Sequence, residues 1–292
     1  MLAPVLYARC DAVLGEGPLW DDAQGRLFWV DIRRARLYVV DHGAATAAPI
    51  DLDAPASALG LCVGANALVA AAGRSVGVID LVAGAYTPLA TFEADKPNNR
   101  SNDGGVAGDG RFWFGTMDDA AAEAQGALYA LSPDWTLRRV LEGLTIPNGI
   151  VGAADQRGLY VTDSARQVID WHALDPATGA LSAQRRFVDL HGAVHAPDGA
   201  ALDEEGCLWS AQWDGGCVLR FSPHGELLTR IVFPVSRPTS CVFGGADMRT
   251  LFVTSARDGL GAEILANEPL AGSVFAVQTA VRGVTYPRFA GA

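Results

Sequence analysis

Short apolar runs rich in Val, Leu, Phe, Tyr and Trp alternate with clusters of Gly, Asp and Pro along all 292 residues. Runs of this kind, bounded by turn residues, predict β-strands, and no segment keeps a helical period for long. The runs recur in pairs. One series is RLFWVDI from Arg26, NALVAAAG from Asn66, RFWFGTM from Arg111, GLYVTDS from Gly158, CLWSAQW from Cys207 and TLFVTSA from Thr250. Their anchoring apolar residues are Leu27, Leu68, Phe112, Leu159, Leu208 and Leu251, at successive spacings of 41, 44, 47, 49 and 43. Behind each lies a second run: ARLYVVD, SVGVIDL, GALYALS, QVIDWHAL, CVLRFSP and GSVFAVQ.

Six copies of a paired-strand unit predict an all-β fold, a six-bladed β-propeller in which each unit becomes one four-stranded antiparallel sheet. A pair of β-sandwiches also recurs in strands, but it would not repeat a two-strand pattern six times. The early segment VLYARC is expected to supply the outer strand of the last blade, closing the ring and removing an exposed edge. Residues 1–292 then form one domain without a linker. The Ala-rich stretches Ala44–Ala48 and Ala120–Ala124 read as loops or a single helical turn.

Composition narrows the class. The chain is 50% hydrophobic and 19% charged, and no apolar run reaches the ~18 residues of a membrane span. The start, MLAPVLYARCDAVL, lacks a signal peptide's basic end and long apolar stretch, so a cytoplasmic location is expected. Cys10, Cys62, Cys207, Cys217 and Cys241 are scattered and form no Cys-x-x-Cys pair, which predicts reduced, mostly buried thiols. A formal net charge of −11 argues against nucleic acid or an anionic membrane as partner. A small molecule is the expected partner.

In a propeller the loop entering each innermost strand opens at one end of the central channel, so residues at equivalent offsets converge on the axis. Glu16, in LGEGPLW, and Asn148, in IPNGI, each lie 11 residues before their anchors. Asp198, in APDGA, lies 10 before Leu208, and Asp103, in RSNDGG, lies 9 before Phe112 with Asn102 and Arg100 beside it. One such motif alone would be a turn; four at matching offsets suggest a funnel mouth. Carboxylates facing one point repel unless a cation lies between them, and an oxygen-only set suits Ca²⁺, Mg²⁺ or Mn²⁺. The five histidines, His42, His172, His191, His195 and His224, show no metal-ligand spacing, although His195 is close enough to Asp198 to line the same mouth.

These motifs resemble the senescence marker protein/gluconolactonase/regucalcin family of six-bladed propellers. The matches include LGEGPLW, FWVDI, NNRSNDGGVAGDGRFWFGTMD, GLTIPNGI, APDGAALDEEGCLWSAQWDGG and PTSCVFGGADMRTLFVTSARDGL. The resemblance implies one divalent metal held by Glu16, Asn148 and Asp198, with its identity open among Ca²⁺, Mg²⁺, Mn²⁺, Zn²⁺ and Fe²⁺. It also implies substrate contacts from Arg100 and Asn102. Many members carry Phe where this chain has Ser101, a change expected to alter pocket packing or to be neutral. A further family acid falls near Glu123, where the alignment is loose by a residue or two.

The implied reaction is hydrolysis of a sugar-acid lactone, with the cation polarising the carbonyl and Asp198 serving as catalytic general base. Arg100 and Asn102 would orient the polyol ring, and Trp20, Trp113 and Trp213 are candidate walls. No Gly-x-Ser-x-Gly elbow, P-loop or dinucleotide fingerprint is present. Two alternatives stay open: a non-catalytic calcium-binding or scaffolding propeller, and an aryl-ester or organophosphate hydrolase, which the lack of a His-rich site disfavours.

Overall fold

The computed structural model describes residues 3–41, 43–44, 47–64 and 66–291; His42, and Ala45 and Thr46 of the first Ala-rich stretch, lie outside the described residues. Six four-stranded antiparallel sheets are present among them, each built from four consecutive strands except the last. The blades cover residues 15–51, 56–91, 99–144, 147–189, 196–232 and 238–278. The sixth blade has three consecutive strands and takes its outermost one from the N-terminus, where Val5–Ala8 pairs with Val274–Gln278. The segment VLYARC thus closes the ring as its sequence predicts. The innermost strands touch in a cycle, first blade to second and on to the sixth and back to the first.

The paired runs of the sequence are the second and third strands of each blade. They read as continuous apolar stretches because a neighbouring blade covers each face. In Arg26–Asp31 the side chains of Leu27, Phe28, Trp29 and Val30 are all buried. The outermost strands have one neighbour fewer, and Leu137–Leu144 is half-buried or exposed throughout. The Ala120–Ala124 stretch is a turn without helix. All five cysteines are free thiols, four of them buried and Cys10 half-buried. No helix among the described residues is long and apolar enough to cross a membrane.

One corner recurs in the first and fourth blades. Asp31, at the end of the first blade's second strand, accepts hydrogen bonds from the backbone N–H of Val13 (2.9 Å) and Leu14 (3.2 Å). Asp163, in the fourth blade, does the same for Thr145 (3.0 Å) and Ile146 (3.2 Å). Each acid reaches back 17 and 18 residues and fixes the backbone just before an innermost strand. Each also stands 15 residues after Glu16 or Asn148.

Removing either carboxylate strips two backbone donors of their partner, and an unsatisfied buried donor costs about 1–3 kcal/mol. Asp31→Ala and Asp163→Ala are each expected to lose at least about 1 kcal/mol of stability in urea unfolding. Unchanged midpoints in both variants would show that water replaces the carboxylate there at no cost.

Candidate active site at the channel mouth

Every innermost strand carries an irregularity in its ladder at the axis. In the first blade Glu16 faces Val30 and Leu19 faces Phe28, so Gly17 and Pro18 together oppose Trp29. In the fourth, Asn148 faces Thr162 and Val151 faces Tyr160. In the fifth, Asp198 and Gly199 are the extra pair between Pro197 and Ala200. In the third, Asn102 and Asp103 lie between Ser101 and Gly104. A two-for-one bulge bends its strand and re-aims the side chains around it. Gly149 shows how little room the bend leaves, with φ at +49° and an added Cβ only 3.0 Å from the Asp198 carbonyl oxygen.

The polar residues therefore lie within innermost strands and not on the loops entering them. Their offsets of 11, 11, 10 and 9 are not equivalent positions but successive steps through the bulge. Glu16 and Asn148 stand just before it, Asn102 and Asp198 at its first residue, and Asp103 at its second. The steps run down the channel. Glu16, Arg100, Asn102, Asn148 and Asp198 line one cavity of about 290 Å³, together with Arg33, Asp119, Ser164 and Trp213. Asp103 does not reach that mouth. It lines a separate cavity of about 280 Å³ beside Cys241 and Tyr286, and accepts from the Gly104 N–H at 2.7 Å.

Burial dominates the electrostatics. Glu16 and Asp198 are 8% and 4% exposed, and neither has an ion pair within 4 Å among the described residues. Desolvation and the nearby Asp103 carboxylate push Glu16 up to about 8. Desolvation, then the charges of Glu16 and Asp103, hold Asp198 well above the carboxylate range. Asp103 rises to about 6, chiefly by desolvation and against the backbone N–H groups it accepts from. The Arg100 charge relieves this only in part, as the smallest cause acting on Glu16 or Asp198, and the site's arginines are paired with other carboxylates. Arg100 Nε donates to Asp119 at 2.6 Å, and Arg33 donates to both Asp119 (2.8 Å) and Asp258 (3.0 Å).

Asn102 is more committed than a free substrate contact would be. Its Oδ1 accepts from Arg100 Nη1 at 2.8 Å, and its Nδ2 donates to Pro147 O (3.0 Å) and Asn148 Oδ1 (2.7 Å). What it retains for a ligand is a lone pair on Oδ1. Ser101 points elsewhere, buried and accepting from Ser57 Oγ at 2.7 Å between the second and third blades. Glu123 is exposed on a turn outside the cavity. The acid that does line the cavity is Asp119, at the end of GTMDD, where sequence spacing offers no reason to prefer it to its neighbours. His195 holds Gln212 Oε1 at 2.9 Å and does not line the mouth. Of the three tryptophans only Trp213 is a wall, with the Arg237 guanidinium stacked 4.6 Å from its ring centre; Trp20 and Trp113 are core.

Glu16, Asn148 and Asp198 present two carboxylates and an amide oxygen, and the two acids are buried with no ion-pair partner within 4 Å among the described residues. That donor set fits a divalent cation of the oxygen-seeking kind. The amide oxygen of Asn148 keeps a second lone pair beside the one that Asn102 uses.

Comparison with known proteins places the chain in a family. A family model described as SMP-30/Gluconolactonase/LRE-like region matches residues 14–257. Regucalcin of Oryctolagus cuniculus is 35% identical over 294 residues, covering 98% of this chain and 97% of that protein. The 6-deoxy-6-sulfogluconolactonase of Pseudomonas putida is 35% identical over 285 residues and covers 97% of each. A solved calcium-binding protein, the regucalcin of Agrobacterium tumefaciens, matches with a TM-score of 0.92 at 29% identity over 97% of both chains. The family match runs through the innermost strands of all six blades, and the chain belongs to the SMP-30/gluconolactonase/LRE-like family.

Proposed function

We infer that this protein hydrolyses the ring ester of a sugar-acid lactone to the free aldonic acid, with a divalent cation held by Glu16, Asn148 and Asp198. The observation that carries the reading is the single cavity in which these three side chains meet Arg100 and Asn102. Similarity to a sulfogluconolactonase supports the substrate class.

A cation bound there supplies Lewis acidity, polarising a carbonyl oxygen and easing deprotonation of water. The protein's own groups do the rest. Asp198 has two carboxylate oxygens, so one can ligate while the other accepts the proton of the attacking water. Burial helps it in that task, because a desolvated carboxylate is a stronger base than one in water. Arg100, held in place by Asp119, offers N–H donors to the ring hydroxyls or the carbonyl. Trp213 closes one side with an apolar face suited to the carbon skeleton of a sugar. Substrate enters as a neutral lactone, which suits a mouth whose arginines are already balanced by Asp119 and Asp258.

The calcium-binding description of the Agrobacterium regucalcin favours a second reading, cation binding without turnover. Both readings need the oxygen donors; only hydrolysis needs a base. The test is a pH-indicator assay of metal-free protein against a panel of sugar lactones, with each of several divalent cations restored in turn. Turnover that appears on restoring the cation is expected. Asp198→Asn should then lower kcat by about 10²–10⁴ while the fold is kept. Cation binding with no turnover of any lactone would favour the second reading, and near-normal kcat in a folded Asp198→Asn protein would remove the base.

The raised carboxylates also fix a pH dependence. A carboxylate pushed up by folding makes the native state hold more protons than the unfolded chain between the ordinary and the raised pKa. Stability of the metal-free protein should therefore fall as pH rises from about 5 to about 8, the window set by Glu16. Added cation should lift the melting temperature more at the upper end, because ligation displaces those protons. Melting curves of wild type and Glu16→Gln check this: the variant should fall less steeply, and an equal slope would mean that Glu16 is not the source.

A further inference from the structure

Four side chains join the third, fourth and fifth blades by hydrogen bonds that all point in one sense. Arg100 Nη1 donates to Asn102 Oδ1 at 2.8 Å, and Asn102 Nδ2 donates to Asn148 Oδ1 at 2.7 Å. Asn148 Nδ2 donates to Ser164 Oγ at 2.8 Å, and Ser164 Oγ donates to the Pro197 carbonyl at 2.6 Å. Chemistry forces the sense at both ends, since a guanidinium only donates and a carbonyl only accepts. Ser164 has one hydroxyl proton, committed to Pro197, so the group facing its oxygen must be the amide NH₂ of Asn148. The Asn148 oxygen is thereby turned the other way, into the cavity shared with Glu16 and Asp198.

We propose that Ser164 is a positioning residue that fixes the amide of Asn148, so that its oxygen and not its NH₂ faces the cation. This rests on the cation reading of the site given above. An asparagine amide rotates about a broad, roughly two-fold torsion, and its two ends are opposite in effect: the oxygen ligates, whereas the NH₂ hydrogens repel a cation. Ser164 is buried and needs no contact with the cation to act. The same hydroxyl anchors the carbonyl immediately before Asp198, so one side chain steadies two of the three ligands. Aligned chains of this kind also strengthen one another in a low-dielectric interior.

The test measures Mn²⁺ affinity of metal-free protein by calorimetry, with no lactone present. Loss of a partner that orients a ligand typically costs 10–100-fold in metal affinity, and Ser164→Ala should weaken Mn²⁺ binding by about that factor. Ser164→Thr keeps the hydroxyl and should restore most of it. The deciding comparison uses Asn148→Asp, whose carboxylate presents an oxygen in either orientation. In that background Ser164→Ala should cost little. Should wild type bind no Mn²⁺, the cation reading falls and the role of Ser164 with it. Equal affinity in wild type and Ser164→Ala would overturn the role of Ser164 alone. So would an equal loss in both backgrounds, which would mark Ser164 as a general packing residue.

Discussion

The extra residue that the innermost strands carry at the axis is the constraint from which the site follows. A regular strand alternates its side chains between faces, so a run of polar residues along it would send half of them into the packed blades. The bulge breaks that alternation. It lets Glu16 and Asn148, just before the irregularity, and Asp198, within it, all face one cavity. It also separates Asn102 from Asp103, one bound to Asn148 at the mouth and the other lining the cavity beyond. Consecutive residues thus line two separate cavities.

That arrangement works against stability. Three carboxylates lie in a space where burial penalises charge, and the charges of Asp103 and Glu16 raise their neighbours further. The fold offsets this with hydrogen bonding around the ring. Thr239 donates to Gly15 O at 2.5 Å across the junction of the sixth and first blades. Asp31 and Asp163 pin the chain ahead of Glu16 and Asn148.

The ring was legible because its period is covalent: six pairs of apolar runs are visible without any knowledge of their packing. The family motifs pointed to Glu16, Asn148 and Asp198, and these three line one cavity. The innermost strands were harder to read. Their Gly, Pro, Asn and Asp content looks like loop composition, and the reason is physical. An innermost strand is an edge strand facing the channel, which tolerates proline, and its bulge favours glycine. Pro18, Pro147, Pro197 and Pro238 all fall in such strands. Ser164 and Asp119 were invisible for a different reason. Each meets its partner from a separate turn or strand, and only the packing of adjacent blades brings Ser164 to Pro197, 33 residues on.

The stretch Pro197-Asp198-Gly199 shows how far local sequence and function can diverge. Read alone it is a turn, yet it lies inside the strand Ala196–Leu202. Pro197 gives up no ladder bond on the channel-facing edge, and its carbonyl receives Ser164. Gly199 is required by approach, because a Cβ there would lie 2.1 Å from Ser240 Oγ of the sixth blade. Neither neighbour calls for an acid between them. A serine or asparagine would suit the bulge without burying a charge, so packing does not account for Asp198. Burial penalises its charge, and among the described residues only the Gly199 N–H and the more distant Arg100 charge favour the ionised form. A buried acid whose charge the fold penalises marks a candidate functional position, and this supports the proposed role of Asp198.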